Sequence, residues 1–214
     1  MNDKLKSNLF LCGGIVLLVV ILDQFIKYWV RANIGDGPNI EVTSWFYLCF
    51  VENNGMAFGM SFFDKIYLTL FRIAALFGLG YCVYYILSRK YSLGLAIGVT
   101  LILAGALGNI IDCVFFGVIY DGGDWLYGKV VDMFHFPLIH STWPDWTPWA
   151  GQSLVFFRPV FNFADAAITT GVAYSLLFHS KEMGQLLEWN DEEKKTEDNK
   201  KSDNTTNSSE NDEA

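Results

Sequence analysis

The sequence predicts an all-α membrane protein: four transmembrane helices with a small β-hairpin and loop region outside the membrane. Three observations carry this. Of 214 residues, 52% are hydrophobic and only 18% charged, too apolar for a soluble domain with a charged surface. Four apolar segments are each close to the ~20 residues needed to cross a bilayer. The basic residues that flank these segments fall on one side of the resulting topology.

The first span runs from Leu9 to about Trp29 and is interrupted by Asp23 and Lys27. Lys4 and Lys6 precede it as they would a signal peptide, but "DQFIKYWV" follows Leu22 where a small-x-small cleavage site would stand. An uncleaved helix is expected. Cys12 is no lipid-attachment site, because bulky Leu11 precedes it and the apolar core follows. The second span runs from Ile66 to Leu87 with Arg72 inside it. The third, Leu93 to Ile111, carries Gly94, Gly98, Gly105 and Gly108, small residues that let helices approach closely in lipid. The fourth runs from Val160 to about Phe178.

Arg89 and Lys90 lie between spans two and three, Lys4 and Lys6 before the first, and Lys181 after the fourth. The positive-inside rule places all three sites, and both termini, in the cytoplasm. Segments 30–65 and 112–159 then lie outside. Val42 to Val51 is aromatic and β-branched enough for a strand, "NNG" at 53–55 is a turn signal and a short apolar stretch follows it, so a small hairpin is expected there. Trp143, Trp146 and Trp149, among Pro144 and Pro148, suggest a loop resting at the membrane interface.

Residues 1–180 form the expected membrane domain and 181–214 a disordered acidic cytoplasmic tail. The tail holds eleven acids and five bases, a net −6 of the chain's −8, so the low isoelectric point says little about the body. From about Trp189 it has too little apolar residue to offset chain entropy. Cys12, Cys49, Cys82 and Cys113 form no Cys-x-x-Cys pair and read as small hydrophobes. His135, His140 and His179 are too scattered for a zinc site, and no metal, cofactor or nucleic acid is expected.

On this topology the acids converge. Asp23, Asp112, Asp132 and Asp165 come from four chain regions to one depth near the outer face. Asp23 has Lys27 at i+4, a structural ion pair. Asp112 ends the third span beside Asn109, where it can bond nearby backbone. Asp132 sits among Val130, Val131, Met133 and Phe134, and Asp165 lies in the apolar run opened by "FNFADAAITTG". Asn109/Asp112 and Asn162/Asp165 share Asn-x-x-Asp spacing, which places both side chains on one helix face. "DGGDW" at 121–125 reads as an exposed turn. Two close carboxylates share one proton, and such a pair can activate water while hydrogen-bonding a carbonyl oxygen. A proton-coupled transporter would also bury carboxylates in its helices. A non-enzymatic assembly factor would use the glycine faces and need neither Asp132 nor Asp165.

The segments "LDQFIK" (22–27), "VENNGMAFGM" (51–60), "AGALGNIID" (104–112), "KVVDMF" (129–134) and "FNFADAAITTG" (161–171) resemble, in order, the motifs of the lipoprotein signal peptidases, or signal peptidase II. The resemblance implies a four-helix bacterial membrane aspartic protease with a small extracytoplasmic β-sheet. It implies a monomer in the cytoplasmic (inner) membrane with its active site at the outer face. Such an enzyme cuts lipid-modified prolipoproteins just before a diacylglyceryl-modified cysteine, uses no cofactor, contacts membrane lipids and is inhibited by globomycin. By position, Asp132 and Asp165 look like the catalytic pair, with Asp23, Asn54, Asn109, Asp112 and Asn162 in support. The family usually has arginine directly after the third-helix aspartate. Here Cys113 stands there, leaving Asp112 to another base, for which Arg158 is a candidate. Segment 137–159 is longer than usual in the family.

Overall fold

The computed structural model describes residues 3–55, 64–89, 91–156 and 159–210, apart from the side chains of 139–141, 153–156 and 187–210. In chain order the elements are α1 (Asp3–Asn33), β1 (Ile40–Thr43), β2 (Phe46–Asn53), α2 (Lys65–Ser88) and α3 (Leu93–Ile111). A π-helical turn (Asp112–Phe116) and α4 (Gly117–Tyr120) follow, then β3 (Val130–His135), β4 (Ile139–Thr142), β5 (Ser153–Phe156), β6 (Val160–Phe161) and α5 (Phe163–Glu210). The chain divides into two compact units, Met1–Val172 and Ala173–Ala214.

Among the described residues, three helical stretches are long and apolar enough to cross a membrane: Asp3–Asn33, Lys65–Ser88 and Leu93–Tyr120. The burial pattern of α1 is inverted relative to a water-soluble helix. Phe10 is 82% exposed and Phe25 64%, while Asp23 and Lys27 are at 0%. Lipid as solvent explains this, since apolar side chains then face outward at no cost and charges must turn inward to find partners. The fourth apolar segment differs from its predicted form. Val160 and Phe161 belong to β6, and the helix starts at Phe163. Asp165, Thr169, Thr170, Tyr174, Ser175 and His179 dilute its apolar character.

The sheet corrects the predicted strand. The expected single strand from Val42 to Val51 is broken at Ser44–Trp45, and β1 and β2 form the hairpin there. The stretch expected to follow Asn53-Asn54-Gly55 falls on 56–63, outside the described residues. The four strands run in the order β1-β2-β3-β6, all antiparallel, with β4 and β5 a separate hairpin. Between β4 and β5, Trp146 is 86% and Trp149 53% exposed. The 121–125 turn is exposed as expected.

The sheet packs on α1 and the turn after α3 through Val30, Ile34, Phe116, Val131 and Met133. A second cluster joins Val19 of α1, Ala104 of α3 and Ala167 of α5. Close approach there depends on α3's glycines: a Cβ at Gly108 would lie 2.7 Å from Asp23 Oδ2 and 3.2 Å from the Ala164 Cβ. The backbone of α5 is helical to Glu210 where composition predicts a disordered tail, with a non-helical residue at His179.

Candidate active site

Asp132 is positioned by strand pairing. The β2–β3 ladder sets Val51 opposite Asp132 and Asn53 opposite Val130. Val131 and Met133, both at 0% exposure, anchor β3 in the core on either side of it. Alternation along the strand then turns Asp132 the other way. There it is 3% exposed and accepts from Asn53 Nδ2 (3.0 Å, on Oδ2) and Asn162 Nδ2 (2.8 Å, on Oδ1). Burial pushes its carboxyl up to about 6, with the nearby charge of Asp165 adding to the rise and the Asn53 and Asn162 bonds opposing it.

Asp165 is positioned by a helix cap. Asn162 follows β6 and caps α5: its Oδ1 accepts from the Asp165 N–H (2.9 Å), while its own N–H donates to Asp165 Oδ2 (3.3 Å). This is a reciprocal capping box. Asn162 therefore sits outside the helix, and the Asn-x-x-Asp spacing at 162–165 is a cap rather than two polar residues on one helical face. Asn162 thus touches both carboxylates, Asp132 through its side-chain Nδ2 and Asp165 through its backbone N–H.

Beneath the pair lies a buried polar cluster. Lys27 Nζ donates to Asp23 Oδ2 (2.8 Å), Asp112 Oδ2 (2.7 Å) and Asn109 Oδ1 (3.1 Å), an acceptor for each of its three hydrogens. Asn162 Nδ2 donates to the same Asn109 oxygen (3.1 Å), so the Asn109 amide must turn its Nδ2 to Asp165 Oδ1 (2.8 Å). Asp112 also accepts from Gln24 Nε2 (2.8 Å) and from the Val131 N–H (3.3 Å), next in sequence to Asp132. Asp23 Oδ1 accepts from the Ala164 N–H (2.9 Å) in the first turn of α5. An anion there suits the positive end of a helix. The cluster thus fixes β3 and α5 relative to α1 and α3.

Asp132, Asp165, Asn53, Asn109 and Arg72 line a cavity of about 340 Å³, whose remaining wall is largely apolar and includes Leu79 and Ile168. Among the described residues no group of three or more His, Cys, Asp or Glu is arranged to hold a metal. A buried carboxylate and a half-buried one on a single cavity, joined by an asparagine, are equipped for acid–base work on a bond placed between them.

The model of the family Signal peptidase (SPase) II matches residues 15–180 of this chain. The chain belongs to the signal peptidase II family. A lipoprotein signal peptidase of Porphyromonas gingivalis is 39% identical over 196 residues, 82% of this chain and 85% of that protein. One from Amoebophilus asiaticus is 39% identical over 177 residues, 77% of this chain and 75% of the other. A solved structure described as a bacterial membrane enzyme, determined by the in meso method at 1.9 Å, superposes with a TM-score of 0.56 at 27% identity. It covers 78% of this chain and 90% of its own. As a member of a peptidase family with membrane-spanning helices, the chain is a multi-pass membrane hydrolase.

Within this signal peptidase II frame some expected roles move. The base that holds Asp112 is Lys27, which the sequence assigned only to Asp23; Arg158 lies outside the described residues. Asn54 is exposed and its Oδ1 accepts from Lys65 Nζ (3.3 Å), whereas Asn53 reaches Asp132. Gln24 and Arg72 are further members that sequence reasoning missed. Gln24 had one signal, its place beside Asp23. Arg72 had another, a charge inside an apolar span. Cys113 is buried, with Arg72 Nη1 3.2 Å from its sulfur.

Proposed function

We propose that this chain is a membrane aspartic endopeptidase that removes the signal peptide from diacylglyceryl-modified prolipoproteins, cutting just before the lipidated cysteine. The observation that carries the reading is the Asn162-bridged pair, Asp132 and Asp165, facing one largely apolar cavity. One carboxylate takes a proton from water, and the water oxygen attacks the scissile carbonyl carbon. The other, protonated, hydrogen-bonds the carbonyl oxygen. A proton then passes to the leaving nitrogen, which becomes the amino group of the lipidated cysteine.

In this reading α5 is the fourth span, and both termini lie in the cytoplasm of a bacterial inner-membrane protein. The pair then lies at the outer face, where acyl chains in the outer leaflet hold the substrate cysteine. The apolar cavity wall suits such chains, and the Trp143–Trp149 loop rests at the interface. The enzyme acts as a monomer without cofactor and binds globomycin.

The test is cleavage of a lipid-modified precursor by the purified full-length protein in detergent, followed as release of the signal peptide. Asp132→Asn and Asp165→Asn should each lose about 10²–10⁴ in rate, and the double variant should be little worse than either. More than about a tenth of wild-type rate per folded molecule in either single variant would refute the assignment.

A further inference from the structure

Arg72 is a charge that the acid–base pair does not explain. It sits in a membrane helix, where arginine is disfavoured, and among the described residues neither of its two hydrogen-bond partners is a carboxylate. Nη1 donates to the Cys113 sulfur (3.2 Å), a weak acceptor, and Nη2 to the Gly55 carbonyl (3.0 Å). Gly55 holds φ +72°, and a Cβ on it would lie 2.6 Å from Arg72 Nη2. The turn therefore favours glycine for its backbone, and a side chain there would displace the guanidinium from its place against the turn.

The same turn controls Asn53. The Gly55 N–H donates to Asn53 Oδ1 (2.8 Å), closing a side-chain turn over two residues. With its oxygen so occupied, Asn53 directs Nδ2 to Asp132 Oδ2 (3.0 Å). Arg72 grips the carbonyl of the residue whose N–H orients Asn53.

We propose that Arg72 is a positioning residue for Asp132: by clamping Gly55 from α2 it fixes the Asn53 amide, which in turn fixes and hydrogen-bonds the Asp132 carboxylate. The proposal rests on Asp132 being one of the acid–base pair. It assigns the guanidinium to the reacting carboxylate through two intermediaries rather than to the substrate. Losing Arg72 frees the turn, Asn53 swings, and Asp132 loses a donor that favours its ionised form.

The experiment measures kcat and KM against pH on a lipid-modified precursor, using full-length wild type, Arg72→Met, Asn53→Ala, the double variant and Arg72→Lys. Arg72→Met should lower kcat about 10- to 100-fold with KM little changed. It should also move up, by roughly one pH unit, the limb of the kcat profile that Asp132 governs: the acidic limb where Asp132 takes the proton from water, the alkaline limb where it is the protonated partner. Asn53→Ala should do the same, and the double variant should add no further shift. Arg72→Lys, which keeps a donor for the Gly55 carbonyl, should hold the limb in its wild-type place. An unmoved limb in Arg72→Met, or additive shifts in the double variant, would overturn the role. If Arg72→Met does not accumulate as folded protein, a limb in Arg72→Lys displaced as far as in Asn53→Ala overturns it equally. Failure of the wild type to cleave would sink the peptidase reading itself, whereas wild-type cleavage with an unmoved limb sinks Arg72's role alone.

Discussion

Lys27→Met replaces a buried ammonium by an apolar chain of similar length. Lys27, Asp23 and Asp112 are all at 0% exposure, and the ammonium bonds both carboxylates at 2.7 and 2.8 Å. Methionine fills much of the space but leaves two buried carboxylates facing each other without a cation. Breaking a buried ion pair by removing one partner costs about 3–5 kcal/mol. For a chain of this size each kcal/mol lowers the melting temperature by roughly 2–4 °C, so a fall of about 6–20 °C is expected. Insertion should respond in the opposite direction, because methionine enters a bilayer more readily than lysine. Adding Asp23→Asn and Asp112→Asn removes both stranded charges and should recover most of the loss. The assay is thermal unfolding in detergent, with membrane-inserted yield measured alongside. A melting temperature within about 3 °C of wild type would refute the unpaired-charge argument. So would a triple variant less stable than Lys27→Met. The folded fraction of Lys27→Met should also cleave more slowly, since Asn109 loses one of the two donors that orient it toward Asp165.

Asp132 gives stability a pH signature. Its carboxyl rises from 3.8 to about 6 on folding, so its contribution is fully present below about pH 4 and lost as pH climbs through 6. Asp132→Asn lacks that loss. Its melting temperature relative to wild type should rise between pH 4 and 7, by the equivalent of at most about 3 kcal/mol, and a pH-independent difference would contradict the burial. Asp23→Asn should lower thermal stability more than it lowers the rate per folded molecule. A chain ended near Trp189 should cleave and fold as wild type does, and a large activity loss would mean the lost segment docks on the enzyme. Reporters after Lys90 and at Ala214 should mark the cytoplasm and one near Trp146 the outside; any reversal breaks the proposed topology.

The three spans were legible to within a few residues at most ends because lipid makes hydropathy a direct readout of length. The exceptions are α1, whose polar first turn from Asp3 and last turn to Asn33 lie beyond the apolar run, and the third stretch, which continues past Ile111 to Tyr120. The break in the expected strand was not visible because Ser44–Trp45 turns without glycine, asparagine or proline, between β-branched residues on one side and aromatic ones on the other. The 162–165 spacing fitted both a helix face and a capping box, and only the β6 boundary decides between them. Asn53 and Asn54 are adjacent, and neighbours on a strand face opposite ways. Which of them meets Asp132 is set by the β2–β3 register, a tertiary fact. Lys27 showed its i+4 partner in the sequence, but its second partner, Asp112, comes from another helix.

The inward face of α1 has a consequence for biosynthesis. During synthesis α1 emerges before α3 and α5, so Asp23 and Lys27 must enter the membrane ahead of Asp112 and Ala164. Their i, i+4 spacing lets them travel as a self-neutralised couple. Asp112 arrives later as a lone anion, and Lys27, already lodged in the bilayer, is there to receive it. The Ala164 N–H closes on Asp23 last. The chain is thus written in the order in which its charges can be neutralised, and a rearranged gene that delivered α3 first would ask a solitary carboxylate to wait in hydrocarbon.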